Sequence, residues 1–337
     1  MSEHLNRRII LAARPIGYPK ESDFRLVEES VPEPRDGQVL IRSLWLSLDP
    51  YMRGRMRDAP SYAAPVQIGE VMTGGVVGRV VVSRNDDYEA GDIVEGRIGW
   101  QDYAVSSGSN IRKVDETLAP ISTAVGVLGM PGLTAYFGLL DIGRPEPGDT
   151  VVISAASGAV GAIVGQLAKM AGCYVVGIAG SDLKVGYIRG ELGFDATINY
   201  KTENVRTRLV DLCPGGINVY FDNVGGDITD AVLENIADFA RIVVCGQISQ
   251  YNAETPELGP RNMGVLVRHQ ARIEGFLVGQ FAHRYQEARV RMGTWVENGS
   301  LKYKEDIVEG LENAPKAFIG LMSGANFGKL LVKIGTE

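Results

Sequence analysis

The apolar run Val151-Val152-Ile153 passes straight into Ser154-Ala155-Ala156-Ser157-Gly158-Ala159-Val160-Gly161, and a helix-forming stretch follows. A strand that is apolar on every side has no solvent face, so it belongs in a sheet covered on both faces. The same alternation continues along the chain. Strands are expected at Val151 to Ser154, Tyr174 to Ala179, Val219 to Asn223, Arg241 to Cys245 and Ile273 to Phe276, with helices at Val160 to Gly172 and Asp182 to Leu192. Apolar strands separated by helices predict an α/β unit with a doubly wound parallel sheet.

The texture changes near residue 130. Before it lie short apolar or alternating stretches such as Val39 to Arg42, Gly75 to Val82 and Asp92 to Gly96, cut by Gly, Pro and Asp. That pattern predicts a β-rich, barrel-like domain. Beyond about Trp295 an amphipathic helix is expected over Ile307 to Met322, then a strand over Lys329 to Ile334 that rejoins the first domain. The expected division is 1–128, 129–295 and 296–337. No internal repeat is evident.

Composition removes several classes of function. The 34 Lys and Arg against 41 Asp and Glu give a net charge of −7, which recruits neither nucleic acid nor an anionic membrane. Cys173, Cys213 and Cys245 are widely spaced and form no CxxC pair, which fits a reducing compartment and predicts a cytoplasmic protein. The run Ile9-Ile10-Leu11-Ala12-Ala13 is short for a signal-peptide core and is cut by Arg14-Pro15. No apolar run approaches the roughly 20 residues of a membrane helix. A small-molecule substrate is expected.

The turn after the first strand has the form Ala156-x-Gly158-x-x-Gly161, a dinucleotide fingerprint with Ala in place of its first Gly. Small residues also serve simple helix-strand packing, so the motif alone leaves both readings open. Its place between a strand and a helix adds the free N–H groups and dipole that attract phosphate. At the end of the second strand the chain reads Ile178-Ala179-Gly180-Ser181-Asp182-Leu183-Lys184. An NAD site commonly has an acid there for the ribose 2′-OH. Gly at the strand end and a cation one turn on suit a 2′-phosphate instead, with Asp182 as helix cap; the competing reading makes Asp182 the ribose acid and Lys184 a solvated surface residue.

Six segments in register carry a resemblance over nearly the whole chain. They are Leu46-Ser47-Leu48-Asp49-Pro50-Tyr51-Met52-Arg53-Gly54-Arg55-Met56, Gly129-Met130-Pro131-Gly132-Leu133-Thr134-Ala135-Tyr136, Ala155 to Gly161, Asp222-Asn223-Val224-Gly225-Gly226, Cys245-Gly246-Gln247-Ile248-Ser249-Gln250-Tyr251-Asn252 and Gly310-Leu311-Glu312-Asn313-Ala314-Pro315. Together they resemble the zinc-independent branch of the medium-chain dehydrogenase/reductase superfamily. Within it they are similar to the NADPH-dependent alkenal/one oxidoreductases, the family of prostaglandin, plant double-bond and bacterial curcumin reductases.

The resemblance implies a GroES-like β-barrel domain joined to a Rossmann domain, NADP as cofactor, and a homodimer. It implies that Gly158, Ala159, Val160 and Gly161 face the pyrophosphate, and that Gly180, Lys184 and Tyr200 serve the 2′-phosphate end. Asn223 and the loop holding Cys245, Gly246, Ile248 and Tyr251 would flank the ribose and nicotinamide, bordered by Phe276, Leu277, Val278 and Asn326. Phe276 to Val278 also read as an ordinary strand, and Asn326 as the holder of the turn Gly324 to Gly328.

Catalytic zinc needs three protein ligands and an open position. The histidines are His4, His269 and His283, the first domain has no cysteine, and Ile68-Gly69-Glu70 stands where zinc-dependent relatives carry Gly-His-Glu. No metal site is expected. Hydride transfer without a metal favours a substrate that is already electrophilic, such as the C=C bond of an α,β-unsaturated ketone or aldehyde. The enolate formed needs a hydrogen-bond donor; the resemblance implies Tyr251, just past a strand end and in the position of the tyrosine given this role in related reductases, and a phenol of ordinary pKa donates at neutral pH. Covering the cofactor is its other reading. Tyr51, Tyr62 and Met130, with Met52 and Trp100 behind them, are candidates for an apolar substrate wall. Reduction of a quinone on the same cofactor site is the alternative activity. A dinucleotide sensor without turnover is a third reading, disfavoured by the row of nicotinamide-side residues.

Overall fold

The computed structural model describes residues 5–336, which divide into two compact units. One takes the residues up to Gly126 together with those from Glu305 onward, and the other is Val127–Lys304. His4 lies outside the described residues.

In the second unit six parallel strands form one sheet. Their spatial order is Ala196–Asn199, Tyr174–Ala179, Thr150–Ile153, Ile217–Asp222, Ile236–Val244 and Arg272–Gly275. Numbered along the unit, that order is 3-2-1-4-5-6, so the winding reverses between Thr150–Ile153 and Ile217–Asp222. The central strands are apolar throughout because both faces are covered: Val151, Val152 and Ile153 have no exposed surface. Full burial of such a side chain contributes about 1.5–3 kcal/mol. The helix Gly161–Met170 buries Ile163, Val164, Leu167 and Ala168 as one stripe. Its close approach depends on glycine, since a Cβ on Gly165 would lie 1.8 Å from the Phe194 ring.

In the first unit a seven-stranded sheet wraps around Val39–Ser47, which pairs antiparallel with Val76–Ser83, Tyr103–Ser106 and Lys329–Lys333. A separate hairpin joins Leu5–Leu11 to Phe24–Ser30. Trp100 stacks on Phe24 with ring centroids 5.7 Å apart and meets Phe318 edge-on. The expected α/β class, a GroES-like barrel fold with a Rossmann fold, is the architecture of the protein.

The C-terminal segment differs from its expectation. Instead of one helix from Ile307 to Met322, the chain forms a strand Glu305–Glu309, a 3₁₀ turn Leu311–Asn313 and a helix Ala314–Met322. Gly310, at φ +85°, breaks the run, and Pro315 in the first turn suits a helix start there. The strand exists because Ile307 and Val308 pair in parallel register with Leu331 and Val332; β-branched residues beside a partner strand favour the extended state.

Candidate functional site

At the point where the winding reverses, the carboxyl ends of Thr150–Ile153 and Ile217–Asp222 lie side by side. Open α/β sheets bind their ligands at such switch points. The first of the two turns begins at Ser154, fully buried. Its left-handed residue is Ala155, at φ +49°, and not the Ala156 that replaces the first fingerprint glycine. Ala156 is buried beneath Gly177, its amide bonded to Ile178 O at 3.0 Å. Gly161 opens the helix, and a Cβ there would stand 2.5 Å from Ala155 O. Gly158, Ala159 and Val160 are partly exposed between them. A turn this tight at a helix N-terminus brings backbone and dipole to an anion together.

The end of Tyr174–Ala179 holds the second group of candidates. The Tyr200 ring covers Gly180 so closely that a Cβ would fall 2.8 Å from its hydroxyl. The helix Asp182–Gly190 is capped by Ser181, whose Oγ accepts the Lys184 N–H at 3.3 Å. Asp182 is therefore not the cap. Its carboxylate accepts Asn199 Nδ2–H at 2.7 Å, an engagement that commits one of its oxygens within the protein. Gly180 and Tyr200 thus meet at one strand end, and Lys184 stands in the first turn of the helix that follows.

The nicotinamide-side candidates are assembled around Asp222, a residue 1% exposed. Asn223 donates its backbone N–H to Ser154 Oγ and its Nδ2–H to Ser154 O, both at 2.8 Å. Gly225 and Gly226, at φ +73° and +60°, turn the chain beneath Gln247 and Ser249. The loop after Ile236–Val244 is tied down by Cys245 N–H to Asp222 O at 2.9 Å, Gly246 N–H to Asp222 O at 3.1 Å and Ile248 N–H to Asn223 O at 3.3 Å. Tyr251 ends the short 3₁₀ turn Ile248–Gln250, and its hydroxyl lies over Gly246 and accepts the Gln247 N–H at 3.4 Å. An N–H donated to a phenol oxygen polarises the O–H for donation elsewhere. Phe276 turns its ring onto Gly138 and Phe221, while Leu277 is exposed and Val278 half-buried. Asp222 was visible in the sequence only as part of a quoted motif. The available signal was an acid ending the apolar run Val219-Tyr220-Phe221, since a carboxylate at a buried strand end needs partners.

The substrate-wall candidates fare unequally. Met52 and Trp100 are fully buried inside the barrel unit and act as core residues. Tyr51 is half-buried at the start of the helix Tyr51–Arg55, and burial together with the Asp49 carboxylate pushes its phenol well above the ordinary range. Tyr62 is 61% exposed, with the Arg55 guanidinium 4.5 Å from its ring centroid. Asn326 donates Nδ2–H to Gly328 O at 2.9 Å within its own turn. In the other unit Met130 opens the helix Met130–Phe137 and accepts Thr134 Oγ–H on its carbonyl.

Among the described residues no three His, Cys, Asp or Glu side chains converge as metal ligands. His269 Nδ1 meets Asp238 Oδ1 at 2.8 Å near the surface, and His283 is exposed. No helix among the described residues is long and apolar enough to cross a membrane.

Two family models match the chain: an N-terminal domain of oxidoreductases over residues 7–114 and a domain described as zinc-binding dehydrogenase over residues 159–293. The chain is 48% identical over 337 residues to the NADPH-dependent curcumin reductase of Escherichia coli (strain K12), covering 98% of each. It is 43% identical over 339 residues to the NADP(+)-dependent 2-alkenal reductase of Nicotiana tabacum, covering 98% of each. The crystal structure of CurA in complex with NADPH from Vibrio vulnificus is 47% identical, with a TM-score of 0.94 over 98% of this chain and 100% of that one. The chain belongs to the alkenal/one oxidoreductase family of the medium-chain dehydrogenase/reductase superfamily.

Proposed function

We propose that this protein is an NADPH-dependent reductase of the C=C bond of α,β-unsaturated ketones and aldehydes, curcumin-like enones and alkenals among them. The loop Cys245 to Tyr251, folded onto Asn223 at the switch point with the Tyr251 hydroxyl over Gly246, carries this reading. The identity to curcumin and alkenal reductases supports it.

The residues fit the nucleotide. The partly exposed backbone of Gly158, Ala159 and Val160 at the helix N-terminus suits a pyrophosphate, Gly180 leaves its strand end without an acid, and Asp182 already has Asn199 as a partner. Gly158, Ala159, Val160 and Gly161 would hold the pyrophosphate, Gly180, Lys184 and Tyr200 the 2′-phosphate end, and Asn223, Cys245, Gly246, Ile248, Tyr251 and Phe276 to Val278 the nicotinamide side; Asn326 is the barrel unit's candidate for the cofactor. Bound NADPH supplies the hydride that forms the new C–H bond at the β-carbon. The π pair then moves to the carbonyl oxygen, where Tyr251 stabilises the enolate by donating its O–H. Protonation of the α-carbon then completes the saturated product. Tyr51 and Tyr62 in the barrel unit, and Met130 in the other, are the candidates for substrate contact.

The reaction is zinc-independent in this reading, supported by a barrel domain without cysteine and by the pairing of His269 with Asp238. A cytoplasmic homodimer completes it. The test is initial-rate oxidation of NADPH and of NADH with an enone, with and without chelator, with product analysis. Saturated ketone, NADPH preference and indifference to chelator are expected. Reduction of quinones alone, or nucleotide binding without turnover, would overturn the assignment.

A further inference from the structure

We propose that Asp222 is the positioning residue of the nicotinamide pocket: it fixes three loops at the switch point as one unit. This rests on the reductase reading above. Five donors converge on its side chain. Ser154 Oγ–H at 3.2 Å, Tyr220 O–H at 3.0 Å, and the N–H groups of Val224 and Gly225 at 2.9 Å meet Oδ1, while Thr229 Oγ–H meets Oδ2 at 2.8 Å. Donors alone around two oxygens is the pattern of an acceptor-only carboxylate. Its carbonyl takes two more N–H groups, from Cys245 and Gly246.

Each of those bonds leads to a different part of the site. Ser154 begins the turn after Thr150–Ile153, and the same Oγ accepts the Asn223 N–H. Val224 and Gly225 shape the turn after Ile217–Asp222, which in turn accepts Ile248 N–H at Asn223 O and Ser249 N–H and Oγ–H at Val224 O. Cys245 and Gly246 start the loop that carries Tyr251. The side chain thus sets where Asn223 stands, and the carbonyl sets where the Tyr251 loop starts. Gly158, Ala159, Val160 and Gly161, further along the turn that Ser154 begins, and the Gly180 and Tyr200 pair make no bond to Asp222 among the described contacts. Asp222 thus positions the nicotinamide side of the nucleotide site, while the residues proposed for its phosphates lie outside its hydrogen bonds.

The test uses full-length wild type, Asp222→Ala, Asp222→Asn and Ser154→Ala. It measures NADPH affinity by nucleotide fluorescence, kcat with an enone, and the primary isotope effect with NADPH deuterated at the transferred position. Asp222→Ala is expected to lower kcat about 10²-fold, the scale of a loss of alignment of about 1 Å, while the NADPH Kd moves by less than about threefold and the isotope effect rises. Asp222→Asn recovers most of that loss, because its Oδ1 still accepts four donors and its amide can donate to Thr229 Oγ. An unchanged kcat in Asp222→Ala overturns the proposal, as does a Kd that weakens in step with turnover. If Asp222→Ala does not fold, Ser154→Ala decides: a kcat lowered about tenfold at constant Kd upholds the proposal, and an unchanged kcat overturns it. A wild type that binds NADPH yet reduces no enone overturns the reductase reading and this proposal with it, whereas an active wild type with an equally active Asp222→Ala overturns the proposal alone.

Discussion

Lys329 Nζ donates to Asp49 Oδ1 at 2.9 Å and to Leu48 O at 2.7 Å, with both charged side chains under one-tenth exposed. Ser47 Oγ–H bonds the other Asp49 oxygen. The pair fastens the C-terminal strand to the segment that leads into Tyr51. Removing one partner strands the other charge in a low-dielectric interior. Lys329→Met or Asp49→Leu should each cost about 3–5 kcal/mol in urea unfolding, and the two combined should recover much of it. Additive losses in the double variant would show that the pair is not coupled.

Lys184 stands in the first turn of a helix beside Gly180 and Tyr200. A charge-assisted bond to a 2′-phosphate contributes about 1.5–3 kcal/mol, so Lys184→Ala should raise the KM for NADPH about 10- to 100-fold and leave that for NADH nearly unchanged. An equal loss with both nucleotides would place Lys184 elsewhere.

Gly132 has no room for a side chain: a Cβ would stand 1.7 Å from Val127 O. Gly132→Ala must move that carbonyl or the start of the helix Met130–Phe137 and should cost at least about 1–3 kcal/mol. Gly161→Ala, at 2.5 Å from Ala155 O, should instead appear as weaker NADPH binding, because the displaced backbone is the phosphate turn. Thermal unfolding and nucleotide titration separate the two effects.

Burial pushes the Cys173 thiol up to about 11 and Cys213 to about 12; Cys245 is also raised to about 12, by burial first and the Asp222 carboxylate second. Thiolate is the reactive form, so all three should alkylate slowly near neutral pH even in the presence of an enone. Folding holds these protons more tightly than the unfolded chain does. Their contribution to stability is therefore complete below the ordinary thiol value of 9.0 and is lost as the pH rises toward 11 and 12. Rapid stoichiometric labelling of the native protein at pH 7 would contradict this.

Tyr251→Phe removes the proposed enolate donor and keeps the ring over Gly246. A fall in kcat of about 10²-fold with unchanged NADPH affinity is expected if the hydroxyl carries the charge. Retention of activity would pass that role to another donor.

Much of the molecule was legible because local chemistry decided it. Val151-Val152-Ile153 can only be interior, a turn of small residues can only be tight, and Gly180 before Ser181 leaves a strand end without an acid of its own. These point to a covered parallel sheet and to a tight turn that suits a nucleotide. Partners far along the chain decided the rest. Ile307 and Val308 read as one face of a helix until Leu331 and Val332 offer them a parallel strand. Trp100 and Met52 read as a substrate wall until Phe24, Phe318 and the barrel core enclose them. Ala155 takes the left-handed turn because Ala156 must sit beneath Gly177, and Asp222 becomes a hub because Ser154, Thr229 and the Cys245 amide arrive there from other segments. Periodicity and composition report a residue's own preference for water or burial, whereas a hydrogen bond or a packed ring belongs to two residues at once and exists only when the fold brings both together.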